Sequence, residues 1–145
     1  MTKDIRETAI FNVLAVAVFV LAVLVALSTT YSPNNEIWWW DVAEHILGGF
    51  IAGLICSFFI LGFSKIDTKN FLITYLLIIG MVALIGTAWE FHEFLLDQTV
   101  VKMYSLPKTQ PDATDTMKDE ANNLLGGTLA ILLYWNTRNR RKLLG

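Results

Sequence analysis

Ionisable and amide side chains gather at one end of each of three long apolar stretches in this sequence. In chain order they are Asp41, Glu44, His45, Glu90, Glu93, Asp97, Asp115, Asp119, Asn122 and Asn123. Carboxylate, amide and imidazole groups bind divalent cations, and carboxylates and imidazoles also exchange protons with a substrate. Because a charged side chain at the centre of a membrane span costs about 2.5–3.5 kcal/mol, such a set indicates a functional site.

Several of these residues form pairs separated by three or four positions, which places both members on one face of a helix. The pairs are Asp41 with His45, Glu90 with Glu93, and Asp119 with Asn123. Carboxylates that converge without counter-charge must share protons or bind a cation. We therefore predict a bound divalent metal ion.

This metal ion would polarise a phosphoryl or ester oxygen, or activate a water molecule. Its candidate ligands are Asp41, His45, Glu90, Asp115, Asp119 and Asn123. Oxygen-rich ligation with a single nitrogen favours Mg, Mn or Ca, with Zn or Fe as alternatives. Glu93 is the candidate general base, and His45 is a second candidate catalytic residue.

Structural roles are open for the outermost of these residues. Asp41 and Asp115 could be helix N-caps, which accept hydrogen bonds from free backbone N–H groups. Glu44 could face the lipid headgroups, and Asp97 is expected at a solvated helix end.

The deepest residues also have a structural alternative, since His45, Glu90 and Asp119 could form a hydrogen-bond network that fixes a helix bundle. His92 is expected outside the cluster, because it lies about 200° round a helix from Glu90. It should face lipid headgroups or the first helix.

The elements that position these residues are predicted to be transmembrane helices. Of the 145 residues, 54% are hydrophobic and 17% are charged, which is too apolar for an ordinary soluble domain. Four stretches reach the ~20 apolar residues that cross a bilayer. They are residues 8–27, 41–63, 70–97 and 115–137. We predict an all-α membrane protein, a single four-helix domain over 1–145, with the first segment retained rather than cleaved as a signal peptide.

The distribution of Lys and Arg predicts the orientation. Eight of the 11 lie at the two termini and in the connection at 64–69, and three lie at 98–118. By the positive-inside rule both termini are cytoplasmic, in the inner membrane. The connection at 64–69 is then a tight inner turn, and residues 98–114 form an outer loop that could cover a site.

The depths of the polar groups agree across three helices. His45 lies 20 residues from Lys65, Glu90 lies 20 from Asn70, and Asp119 lies 19 from Arg138, three residues at the predicted inner boundary. At 1.5 Å per residue they stand about 28–30 Å above it, at the outer edge of the hydrocarbon core. Below them on the same faces lie small residues, namely Gly48, Ala52, Gly86, Gly126 and Ala130. We predict three helices in close contact below an outer polar site, with the first helix as a lipid-facing support.

Three sequence blocks carry a family resemblance. WDVAEHILGG (40–49), WEFHE (89–93) and DATDTMKDEANNLLGG (112–127) resemble the signature blocks of YjdF-like and VanZ-like bacterial membrane proteins. The resemblance implies a small multi-pass inner-membrane protein of the cell envelope, since some relatives are linked to glycopeptide resistance. It brings no established mechanism.

Three functions remain open from the sequence. The first is a metal-dependent hydrolase or transferase acting on the headgroup of a membrane lipid or a lipid-linked substrate. The second is a proton- or cation-linked binding protein or transporter, although the inner half of each span lacks charge. The third is a non-catalytic scaffold for envelope assembly. Oligomerisation is open, and the net charge of −2 gives no indication of nucleic-acid binding. Cys56, the only cysteine, is interpreted as a small core or lipid-facing residue.

Overall fold

A computed structural model describes residues 3–31, 37–62, 70–106 and 108–143. Over these ranges the chain is helical and contains no strand, which confirms the predicted all-α class. The helices are α1 Lys3–Tyr31, α2 Trp38–Gly62, α3 Phe71–Leu96, a π-helical turn Asp97–Val101, α4 Lys102–Tyr104 and α5 Ala113–Leu143. The inner turn predicted at 64–69 lies outside the described residues.

Three stretches of the described chain are long and apolar enough to cross a membrane. They are Thr8–Ser28, Trp39–Leu61 and Phe71–Tyr104. Their outward surfaces carry large apolar side chains that would be costly to expose to water, such as Phe11 and Leu84. Helix α5 is not among these stretches, because its N-terminal half is rich in polar and charged residues.

Helix α5 packs along α2 and also against α3, while α1 packs mainly against α2. Glycines make the contact between α2 and α5 possible. A Cβ at Gly49 would collide with the backbone carbonyl of Asn123, and one at Gly126 with the carbonyl of Ile46. The two backbones therefore approach as closely as small interface residues permit.

The core below the polar residues is apolar and formed by α2, α3 and α5. Cys56, Ile78 and Ile131 form its centre, and none is more than 4% exposed. Cys56 is therefore a core residue rather than a lipid-facing one. These contacts fix the relative rotation of three helices, and with it the direction of the polar side chains above.

The connection between α3 and α5 is shorter than the sequence predicted. Helix α3 does not end at Asp97, because the π-helical turn and α4 continue it to Tyr104. Ser105 then adopts a left-handed conformation, with φ of 53°, and ends the helix. Of the described residues in the segment predicted as a loop over 98–114, only 105–106 and 108–112 are thus non-helical.

The start of α5 is capped by a different residue than predicted. Asp112 Oδ1 accepts hydrogen bonds from the backbone N–H groups of Asp115 (3.1 Å) and Thr114 (2.7 Å). These bonds lower the pKa of the exposed Asp112 carboxyl, because they stabilise its charged form. The N-cap interpretation of Asp115 is therefore wrong. That of Asp41 is also wrong, since α2 begins at Trp38.

Candidate functional site

Helices α2, α3 and α5 bring four predicted site residues against His45, whose side chain is 5% exposed. Its Nε2 lies 3.4 Å from Asp41 Oδ1 and 3.8 Å from Asp119 Oδ2. On the other side of the ring, Nδ1 lies 3.9 Å from Glu90 Oε1 and 3.4 Å from Asn123 Nδ2. Side chains from three helices therefore meet around one imidazole.

Lys118 supplies a cation to one side of this cluster. Its Nζ lies 2.7 Å from Asp41 Oδ2, 2.6 Å from Asp115 Oδ1 and 3.5 Å from Asp119 Oδ1. The sequence predicted carboxylates that converge without counter-charge, because Lys118 falls at the edge of the face of α5 that carries Asp115 and Asp119. We call Lys118 with its three carboxylates the lysine half of the site. The ammonium group of Lys118 therefore balances part of the negative charge of these three carboxylates.

On the opposite side no described lysine or arginine forms an ion pair with Glu90 or Glu93, although Lys108 lines the neighbouring cavity. Ligand atoms of His45, Glu90 and Glu93 lie within 4.8 Å of one another, and we call these three residues the open triad. Glu90 is 4% exposed, yet its Oε1 accepts no hydrogen bond from any described residue. Glu93 Oε1 accepts one from Trp89 Nε1 at 3.1 Å. An orphaned buried carboxylate oxygen is costly. Asp119 Oδ1 in the lysine half also lacks a hydrogen bond, but it lies 3.5 Å from Lys118 Nζ, so the open triad is the better candidate for a bound cation.

A second group with suitable spacing, Asp41, His45 and Asp119, overlaps the lysine half. A metal ion there would have to compete with Lys118, whose Nζ already contacts both carboxylates. Asp115 contacts Lys118 and belongs to neither group of suitable spacing. The structure thus divides the predicted ligands into two sets.

A cavity of about 630 Å³ opens beside the open triad, between α1, α2 and α3. Its polar lining includes His45, Glu93 and His92, and its deeper lining is apolar. His92 is exposed, and its ring lies 5.3 Å from that of Trp89. It lines the cavity and does not contact the cluster around His45.

Residues 2–140 match the family described as Predicted membrane protein (DUF2238). The chain belongs to the DUF2238 family. This assignment covers nearly the whole sequence and confirms the prediction of a membrane protein. Neither the curated proteins nor the solved structures contain a match.

Glu44 of the DUF2238 protein connects two helices. Its Oε1 accepts hydrogen bonds from Ser28 Oγ at 2.5 Å and from Trp40 Nε1 at 3.1 Å. Trp40 Nε1 also lies 2.7 Å from Ser28 Oγ. This carboxylate therefore links α1 to α2 beside the cavity.

Asp97 anchors the segment that follows α4, so the prediction of a solvated helix end is wrong. The side chain is 8% exposed. Its oxygens accept hydrogen bonds from Thr109 N (2.9 Å), Thr109 Oγ1 (2.8 Å) and Gln110 N (3.0 Å). Gln110 in turn donates from Nε2 to Glu90 Oε2 at 2.9 Å. The segment at 108–112 therefore folds back over the open triad, and its Gln110 orients Glu90.

Replacing Asp97 with alanine should release this segment. Hydrogen bonds to a charged group contribute about 1.5–3 kcal/mol each, so amide exchange at Thr109 and Gln110 should accelerate by about tenfold or more. Hydrogen–deuterium exchange in detergent measures this. Gln98→Ala, at an exposed neighbouring position, is the control and should leave both amides protected. Equal exchange in the two variants would contradict the anchoring role.

Glu120 is a member of the site that the sequence analysis missed. Its half-buried carboxylate has an Oε2 without a hydrogen-bond partner among the described residues. That oxygen lies over Gly86, where an added Cβ would also meet Asn123 Nδ2. Its position three residues before Asn123, on one helical face, was the available signal.

Proposed function

We propose that the DUF2238 chain crosses the inner membrane four times, with both termini in the cytoplasm and the site on the outer side. The distribution of Lys and Arg supports this orientation. Helix α5 is the fourth span in this proposal. Its inner half carries exposed leucines suited to lipid, including Leu125, Leu129 and Leu132. The resemblance to VanZ-like and YjdF-like proteins supports a role in the cell envelope.

We infer that the open triad binds a divalent cation. The observation that carries this proposal is the buried, unpartnered Oε1 of Glu90, 3.9 Å from His45 Nδ1. Asn123 would add its amide oxygen after a half-turn of the amide group, whose two ends are alike in shape. Three or four such ligands favour Mg, Mn or Ca, with Zn or Fe as alternatives.

The lysine half supports the open triad, because its carboxylates lie behind His45 and hold the imidazole in place. Asp41 lies beside His45 Nε2 through one oxygen and beside Lys118 through the other. A carboxylate on the far nitrogen of a metal-bound histidine fixes the ring orientation and the position of its proton. In this proposal Asp41 and Asp119 hold His45 so that Nδ1 faces the cation.

The reaction proposed for this site is metal-dependent hydrolysis or transfer at the headgroup of a membrane lipid or a lipid-linked substrate. The bound cation would polarise a phosphoryl or ester oxygen. Glu93 lines the cavity and is more exposed than Glu90, so it is the candidate general base, and His45 and Glu90 with Asn123 would hold the cation. His45 acts here as a ligand.

Glu90→Gln should abolish cation binding, because it removes the charge of the buried triad member. Elemental analysis of purified protein should give one divalent ion per chain for the wild type and none for this variant. Glu44→Gln is the matched control, since Glu44 lines the same cavity but already accepts two hydrogen bonds. It should retain the ion.

The same variants test for chemistry when lipid extracts of the producing cells are compared by mass spectrometry. Glu93→Gln should abolish any change in lipid headgroups that the wild type produces, while Glu44→Gln preserves it. Wild-type protein free of divalent ions would contradict the metal site. An unchanged lipid profile would contradict the reaction.

A non-catalytic scaffold is the second candidate, and the lysine half favours it. Lys118 joins Asp41 of α2 to Asp115 and Asp119 of α5, as a purely structural network would. Loss of stability in every cluster variant, with no ion bound to the wild type, would support this candidate.

A further inference from the structure

The cavity beside the open triad is a slot between two helices that do not pack closely on each other. Helix α2 forms its base, while α1 and α3 form its two sides. Helix α1 packs mainly against α2. Ile85 of α3 lines the slot and is 48% exposed, so one side of the slot faces the surroundings of the bundle. Within a membrane those surroundings are lipid.

The lining changes from apolar to polar along the slot. Leu21, Val25, Ala52, Val82 and Ile85 line its deeper part. Glu93 and Lys108 follow, and beyond them the lining is again apolar at Leu96, Val100, Val101 and Leu106. Eleven residues separate Val82 from Glu93 on a continuous helix, so the apolar part reaches the polar residues over about 16 Å along α3. Over this distance the order of apolar and polar lining matches that of a lipid in the outer leaflet.

We propose that this slot binds one hydrocarbon chain of a phosphate-bearing membrane lipid, which enters sideways between α1 and α3. The headgroup phosphate then lies at the open triad. This inference rests on the proposed function, because it identifies the substrate class of that site. The volume of about 630 Å³ falls within the ~300–1,000 Å³ of small-molecule sites, which are mostly apolar with few polar groups.

Charge selects a phosphate for the outer end. A cation held by His45 and Glu90 with Asn123 would offer its remaining positions to an oxyanion. Lys108 adds a positive charge to the same wall of the slot. Glu44 lies at this end too, but its Oε1 is occupied by Ser28 and Trp40.

The test compares two tryptophan substitutions at adjacent positions of α3. Ile85→Trp fills the slot. Leu84→Trp instead lies on the lipid-facing surface of the bundle, since Leu84 is 75% exposed and does not line the slot. Each protein is reconstituted in vesicles of phosphatidylethanolamine and phosphatidylglycerol, extracted in detergent, and examined by native mass spectrometry. Ile85→Trp should retain about tenfold less phospholipid than the wild type, which corresponds to about 1.4 kcal/mol. Leu84→Trp should match the wild type.

Val25→Trp, on the opposite side of the slot, should reproduce the effect of Ile85→Trp. Equal retention by Ile85→Trp and Leu84→Trp would overturn the proposal. Equal retention of diacylglycerol, which lacks a phosphate, would overturn the headgroup assignment.

Metal content separates this inference from the proposed function. Both tryptophan variants should keep the bound divalent ion, because neither side chain belongs to the open triad. Slot-dependent lipid retention in a protein without metal would support the chain site and overturn the metal site. A bound ion together with equal lipid retention by Ile85→Trp and the wild type would support the metal site and overturn the chain site.

Discussion

Replacing Gly126 with alanine is expected to separate α2 from α5 and to lower the free energy of unfolding by about 3 kcal/mol, the upper part of the usual range for an overpacked core. The added Cβ would collide with the carbonyl oxygen of Ile46 and lie 2.8 Å from the backbone nitrogen of Phe50. Because both atoms belong to a helix backbone, no rotamer change relieves the collision. The helices must move apart along their closest contact.

Denaturation in detergent micelles, followed by circular dichroism, measures this loss. Gly80→Ala is the matched control, since no atom lies within 4 Å of its added Cβ. It should stabilise α3 by about 0.5–1 kcal/mol, because alanine loses less conformational entropy than glycine in a helix. The two substitutions are thus expected to have opposite signs. Equal effects would show that α2 and α5 are not in backbone contact.

The convergence of the central residues was predictable because helix geometry alone determines it. A fixed rise per residue placed His45, Glu90 and Asp119 at one depth, and a fixed rotation placed Asn123 on the face of Asp119. Glycines on the same faces then indicated which sides meet. Depth and direction are properties of each helix by itself, so no knowledge of the connections was needed.

Contacts that depend on chain path or side-chain length were not predictable in this way. Lys118 lies at the edge of its helical stripe, but its long flexible stem carries Nζ back to Asp41 and Asp115. Gln110 reaches Glu90 only because the segment after α4 turns back, and no periodic pattern encodes that turn. The geometry of single helices thus predicted which side chains converge. The contacts of Lys118, which this geometry does not determine, changed the charge balance of the site.

The end of α3 illustrates the same limit. A helix that stops at Asp97 would leave that carboxylate in solvent, as the sequence analysis expected. The π-helical turn instead carries the backbone on to Tyr104 and lets the chain fold back. Asp97 then faces the backbone N–H groups of Thr109 and Gln110. About two extra turns of helix, Asp97–Tyr104, therefore convert a solvated end into an anchor.

Lys118→Met should destabilise the bundle by about 2 kcal/mol, because it leaves three carboxylates without their shared cation. A fully buried pair would lose ~3–5 kcal/mol, but the Lys118 side chain is 41% exposed and its charge is partly screened. Denaturation in detergent measures the change. Lys102→Met is the control, since Lys102 is exposed on α4 and has no ion pair with a described residue. It should be nearly neutral.

A second substitution tests whether charge balance is the cause. Asp115→Asn alone removes a partner of Lys118 and should destabilise the wild type slightly. In the Lys118→Met background the same change removes one uncompensated negative charge, so it should stabilise the protein. Such a reversal of sign measures the coupling between the two residues. If Asp115→Asn had the same sign in both backgrounds, Lys118 would act through packing of its stem. The lysine half would then leave the negative charge around His45 unbalanced, and the argument that reserves the cation for the open triad would fail.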